Sequence, residues 1–200
     1  IVGEFESVNR YESGFIGFEE SFDKSKFLVY CQLSSKRKDN EKVYCIVFDK
    51  GMNVLWENIQ ELPYPDKNLN VFEYRVSNTG GVYFLCRNFN KEGNRTGDYL
   101  LASFNYGGVD LHEYKLSLDN KVISDLSFLV NNEDKLVIAG LYSSTSWNKV
   151  KGIVYFRIDP ITKRAQVSNA EELAPELIID AIDYSSGKRR ERVLSSPDKL

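Results

Sequence analysis

Two hundred residues, 42% of them hydrophobic and 13% aromatic, are ample for a core, and 28% charged residues with a net charge of −3 suit a folded chain in water rather than a disordered one. Apolar runs stop after about 5 to 7 residues, far short of the roughly 20 that a helix needs to cross a bilayer. The acidic balance argues against nucleic-acid binding, which ordinarily leaves a strongly basic domain, and three cysteines, an odd count, make no disulfide framework.

At the start of the chain, Val2, Phe5 and Val8 read as an outer strand, one period ahead of the strands that follow. The period is set by three copies of one apolar stretch, Phe27 to Cys31, Val82 to Cys86 and Leu136 to Gly140, spaced 55 and then 54 residues apart, the mark of a repeat architecture. Within each unit four strand-like segments alternate with turn signals, as antiparallel sheet requires. The first unit has a poor opening strand ending near Phe22, then Phe27 to Gln32, Val43 to Phe48 and Val54 to Ile59. The second has Val71 to Val76, Val82 to Arg87, Tyr99 to Phe104 and Leu111 to Leu116. The third has Ile123 to Val130, Leu136 to Leu141, Ile153 to Ile158 and a degraded last strand near Ala165 to Val167. Beyond it, Asn169 as a cap, Glu171 and Glu172 in a first turn, and Leu173, Leu177, Ala181 and Ile182 on one face predict a short helix through Asp183. The run Lys188, Arg189, Arg190 and Arg192 is read as a solvated tail or a link onward.

The second and third strands of each unit are apolar on both faces: Phe27, Val29 and Cys31 on one, Leu28 and Tyr30 on the other. Both sides must therefore be covered, whereas the fourth strands, such as Trp56-Glu57-Asn58-Ile59-Gln60, are wetter. Four-stranded antiparallel sheets that bury each other face to face and stay wet at one edge describe β-propeller blades. Asp49-Lys50-Gly51 followed by Leu55-Trp56-Glu57 and Leu62-Pro63 resembles the end of a kelch or quinoprotein-type blade, in which an outer-strand Trp packs between neighbouring sheets. The resemblance covers about residues 15 to 168, and the Tyr-, Phe-, Asn- and Lys-rich character is similar to uncharacterised secreted propellers of Bacteroidota. The fold expected is all-β: blades at about 15–62, 70–117 and 122–168, residues 1–8 as a strand of a preceding blade, and 169–200 as helix and basic tail. Propellers close with typically 4 to 8 blades, so an incomplete propeller is expected. It would be a segment of a longer polypeptide, one of two halves that pair into a ring of six, or a short open array, and assembly into a larger complex is a further expectation.

Chemistry finds little footing in this sequence. His112, the only histidine, occupies the place that Trp56 holds one unit earlier, and strand alternation sends its neighbour Glu113 to the opposite face, so packing is the expected role. No nucleophile elbow, phosphate loop or metal-ligand spacing occurs, and no cofactor or metal is expected. Glu73, Arg75 and Asp125 on the opening strands are too sparse to decide between a binding module and part of an enzyme. Cys31 and Cys45 lie symmetrically about Lys38 and would face each other across a regular hairpin. A cross-strand disulfide could close there, although small buried thiols are the favoured reading.

Binding has a clearer place. The connections from second to third strand, and from fourth strand to the next unit, share one end of the sheets; these are Ser34 to Lys42, Asn88 to Gly97, Tyr142 to Lys151 and Pro63 to Asn68. Long loops on rigid scaffolds carry recognition, and these hold Lys36, Arg37, Arg95 and Lys149 among other basic residues. Trp147 is costly to leave in water and suits stacking on a sugar or anchoring a protein. Asn94-Arg95-Thr96 is a glycosylation sequon in a source that glycosylates and otherwise a turn. The expectation is a non-catalytic recognition module for a protein or glycan, with ligand-binding residues Trp147, Lys149, Lys36, Arg37 and Arg95, no nucleic acid and no membrane insertion. A periplasmic, cell-surface or secreted location is expected. The alternative is part of a propeller hydrolase, lyase or quinoprotein whose catalytic residues lie outside this segment.

Overall fold

The computed structural model describes residues 15–33, 39–144, 146, 149–158 and 164–177. These form twelve strands in three antiparallel sheets of four, each a simple meander. Sheet 1 is β1 (Ile16–Glu20), β2 (Lys26–Gln32), β3 (Asn40–Asp49) and β4 (Val54–Pro65). Sheet 2 is β5 (Leu69–Val76), β6 (Val82–Phe89), β7 (Arg95–Phe104) and β8 (Leu111–Leu116). Sheet 3 is β9 (Val122–Val130), β10 (Leu136–Ser143), β11 (Gly152–Ile158) and β12 (Ala165–Glu172). Among the described residues no helix is long and apolar enough to cross a membrane.

The repeat extends to single backbone angles. The turn between first and second strands closes the same way in each sheet, with Lys24, Gly80 and Asp134 donating to the carbonyls of Ser21, Ser77 and Asn131. All three donors are left-handed, at φ 60°, 88° and 55°, so a β-turn of one geometry recurs whether or not glycine supplies the angle.

The sheets stack in chain order. Leu28, Val43 and Val47 of sheet 1 share a core with Val71, Phe84 and Leu100 of sheet 2, and Leu85 and Leu101, on the other face of sheet 2, share one with Leu126, Phe128 and Val154 of sheet 3. Sheet 2 is thus buried on both faces, the arrangement that its unbroken apolar strands demanded. Each such side chain contributes about 1.5–3 kcal/mol when fully removed from water. Trp56 lies between sheets 1 and 2, where its indole Nε1 donates to the carbonyl of Gly80 at 2.9 Å. The first strands gather, β5 lying against β1 and β9, while β12 is almost wholly exposed.

Three expectations need correction. Residues 169–172 continue β12 instead of starting a helix, because Ala170, Glu171 and Glu172 pair with Val154, Ile153 and Gly152. A single helical turn at 175–177 remains, and the basic run after Gly187 lies outside the described residues, as do residues 1–8. Strands also run further than their apolar cores. β4 reaches Pro65 and β7 begins at Arg95, which shortens the second loop to a tight turn at Asn90–Asn94. Polar side chains at strand ends read as loop in a sequence although the backbone ladder continues, and Pro63 is tolerated because β4 is an edge strand. Finally, the β2–β3 register pairs Tyr30 with Cys45 and Cys31 with Tyr44, so the two cysteines point to opposite faces. Cys31, Cys45 and Cys86 are all buried and reduced.

Candidate functional site

At the loop-bearing end, the seam between sheets 2 and 3 is assembled from the Asn90 turn outward. The Asn90 side chain accepts from the amides of Glu92 and Asn94 at 3.1 and 2.8 Å, and Gly93 takes φ 84°. The reversed chain enters β7 through Gly97, at φ 82°, where a Cβ would lie 2.5 Å from Val122 Cγ1. Only glycine lets β7 pass so close to β9. That approach brings Arg95 to the start of β9: Nη2 donates to the carbonyl of Ser124 at 2.7 Å and to the Tyr99 hydroxyl, and the guanidinium lies 5.4 Å from the Tyr99 ring. Ser124 in turn donates its hydroxyl to the carbonyl of Lys149.

One residue further along β9, Asp125 pairs with Arg87 Nη2 at 3.0 Å. The Arg87 guanidinium sits 4.2 Å over Phe72, which meets Tyr99 edge-on at 5.8 Å. A row therefore runs Arg87, Phe72, Tyr99, Arg95 along the sheet 2 side of the seam, two guanidinium planes held apart by two rings. Cation–π contact and hydrogen bonding both restrain these arginines. Lys121, 4.3 Å over the ring of Tyr142, and Lys151, 3.1 Å from Glu172, add to the cationic groups at this end. Burial raises the carboxyl of Asp98 above its usual range.

Of the five expected ligand residues, Arg95 and Lys149 meet here through Ser124, whereas Lys36, Arg37 and Trp147 lie outside the described residues. Arg95 braces the fold, since both of its described bonds go to the protein itself. The Lys149 contact uses its backbone carbonyl, so the bond does not depend on the side chain. Arg87 escaped the sequence reading because it follows the apolar run Val82 to Cys86 as one more strand residue; its register opposite Tyr99 places it in the row.

The seam between sheets 1 and 2 carries the opposite charge at the same end. Glu41 is fully buried, accepts from Gln32 Nε2 at 2.7 Å and neighbours the carboxyl of Asp66. A neighbouring carboxylate disfavours a second negative charge. Burial first, then Asp66 against the opposing Gln32, pushes Glu41 up to about 7. Tyr74, whose ring stacks on Tyr30 at 3.8 Å, has a buried hydroxyl with no hydrogen-bond partner among the described residues. Among those residues no group of three or more His, Cys, Asp or Glu side chains is placed to hold a metal ion. Glu41 was missed in the sequence because a charged residue ahead of an apolar strand looks like loop.

On the opening strands Arg75 bridges Glu19 of sheet 1, at 3.3 Å, and Glu73, which also accepts from Ser127 of sheet 3 at 2.9 Å. These carboxylates tie sheets together. His112 stands half-buried on β8 opposite Ser103. At the end away from the loops, Asp23 N donates to Asn78 Oδ1 at 3.1 Å, and the amides of Asn78 and Thr79 donate to Asp134 at 2.7 and 3.1 Å. The three turns are stitched in a line. No protein-family model matches the chain, and no curated protein is significantly similar to it.

Proposed function

We propose that the chain is a run of β-propeller blades whose loop-bearing end recognises a protein or a glycan, without catalysing a reaction. The propeller reading is supported by the in-order stacking of three alike sheets, with the middle one buried on both faces and Trp56 between two of them. The observation that carries the binding reading is the linkage of Arg95 and Lys149 through Ser124, in line with Arg87. The Lys149 loop of sheet 3 is thereby fixed beside the arginine-bearing strands of sheet 2, and a loop held on a rigid scaffold suits recognition of an acidic or hydrogen-bonding ligand. The same reading makes this a periplasmic, surface or secreted module.

The test uses Trp147→Ala with Lys149→Ala, which leaves the carbonyl contact to Ser124 in place. The double variant should lose most of its retention on a glycan array, or of its capture of surface proteins, with an unchanged melting temperature. Retention equal to that of the wild type would refute the loop-bearing end as the binding surface.

A further inference from the structure

On its face toward sheet 2, sheet 1 changes character at the loop-bearing end. There β2 presents Tyr30 and then Gln32, opposite Cys45 and then Val43 of β3, and the next β3 residue on that face is Glu41. Glu41 is 1% exposed and is held by Gln32 Nε2 at 2.7 Å. Its neighbour Asp66 opens the short 3-10 turn Asp66–Asn68 that follows β4. Among the described residues neither carboxyl forms an ion pair with a lysine or arginine. A buried carboxylate is unfavourable unless a charge answers it.

A further oxygen comes from the opposite sheet. Tyr74 reaches across the seam from β5 and lays its ring on that of Tyr30, 3.8 Å away and 18° from parallel. Tyr74 is 3% exposed, and its hydroxyl has no hydrogen-bond partner among the described residues. Glu41 is the charged group that weighs most on this hydroxyl. The two are neighbours that do not bond to each other, which leaves their lone pairs for a third group.

The chemistry of that group follows from the donors. Two carboxylates and a hydroxyl make an all-oxygen set, which suits hard divalent cations and not the nitrogen and sulfur sets of zinc. Asp66 and Gln32 are half-buried, so the set is reached from the loop-bearing end. The second seam offers no counterpart, because Arg87 and Arg95 already hold positive charge against its rings there.

We propose that Glu41, Asp66 and Tyr74 bind a hard divalent cation, calcium or magnesium, which pins the turn after β4 to the seam between sheets 1 and 2. Water completes the coordination, as it does in sites with only one or two carboxylates.

Melting of the 200-residue chain at about pH 8, first stripped with a chelator, tests it. Calcium or magnesium chloride at about 10 mM should raise the melting temperature by about 4 °C, as a site of about millimolar affinity does in a chain of this size. Potassium chloride of equal ionic strength should leave it unchanged. Tyr74→Phe removes only the unpartnered hydroxyl. It should melt no lower than the wild type without metal, yet need about tenfold more metal for the same rise. Glu41→Gln should lose the rise altogether. No rise with either ion overturns the proposal. So does a rise that potassium reproduces, or one that Glu41→Gln or Tyr74→Phe keeps in full, since those results mean ions gathering on exposed carboxylates. Should Glu41→Gln fail to fold, Asp66→Asn makes the same comparison at the half-buried partner.

Discussion

The two seams of this molecule are built from equivalent strand positions and finish in opposite chemistry. Their middles are alike, with aromatic and aliphatic side chains meeting across the sheets. At the loop-bearing end the first seam buries Glu41 beside a half-buried Asp66, while the second holds Arg87 and Arg95 against Phe72 and Tyr99. The lesson is that packing fixes the frame, and the strand ends beyond it are free to vary, since they need only satisfy their own polar groups.

If both seams belong to one cooperative fold, Leu101→Ala at the second should cost about 2–5 kcal/mol, as a fully buried leucine does. Tyr155→Ala, at the equivalent but uncovered position of sheet 3, should cost under about 1 kcal/mol in the single chain. Urea unfolding followed by circular dichroism measures both. Equal costs would mean that sheet 3 does not depend on covering sheet 2.

The acidic seam should respond to pH through Glu41. The folded value of Glu41 lies above the ordinary carboxyl value, so between about pH 4.5 and 7 the folded state holds more protons than the unfolded state, and stability falls as pH rises through that window. The penalty is then constant above it. Glu41→Gln keeps an acceptor for Gln32 and removes the titration. It should flatten the slope and stabilise the protein at pH 8 on the order of 2 kcal/mol, read as the difference in unfolding free energy between pH 5 and 8. A slope that survives the substitution would assign the pH response to another group.

Smaller effects sharpen the comparison at the far end. Asp134→Ala removes the acceptor for two amides of sheet 2 and should cost about 1 kcal/mol, more than Asp23→Ala, whose side chain accepts only within its own turn. Met52→Gly relieves an exposed left-handed residue at φ 62° and should change stability by a few tenths of a kcal/mol in the favourable direction. A melting curve for each variant ranks them.

Much of this frame was legible in the residues. Runs such as Val82 to Cys86, apolar on both faces, have no other stable home than a sheet covered twice, and the spacing of their copies gave the number of sheets. What escaped was local and cooperative. Nothing in Asn169 to Glu172 announces a strand; the ladder on β11 recruits it. The symmetric spacing of Cys31 and Cys45 suggested a facing pair, but a register displaced by one residue turns them apart. The site was half visible: Arg95 and Lys149 stood out as basic residues in connections, whereas Arg87, Ser124 and Glu41 acquire their meaning only from the strands opposite them.

The interior thiols give the chain a clock of its own opening. Cys45 faces sheet 2 and Cys86 faces sheet 1, and burial holds both well above the usual thiol range, so an alkylating reagent can reach them only when the first seam parts. Sheet 3 contains no cysteine among its described strands. Labelling at Cys45 and Cys86 therefore times the separation of sheets 1 and 2 without interference from the remaining seam, and the rate at each reports the lifetime of the closed state.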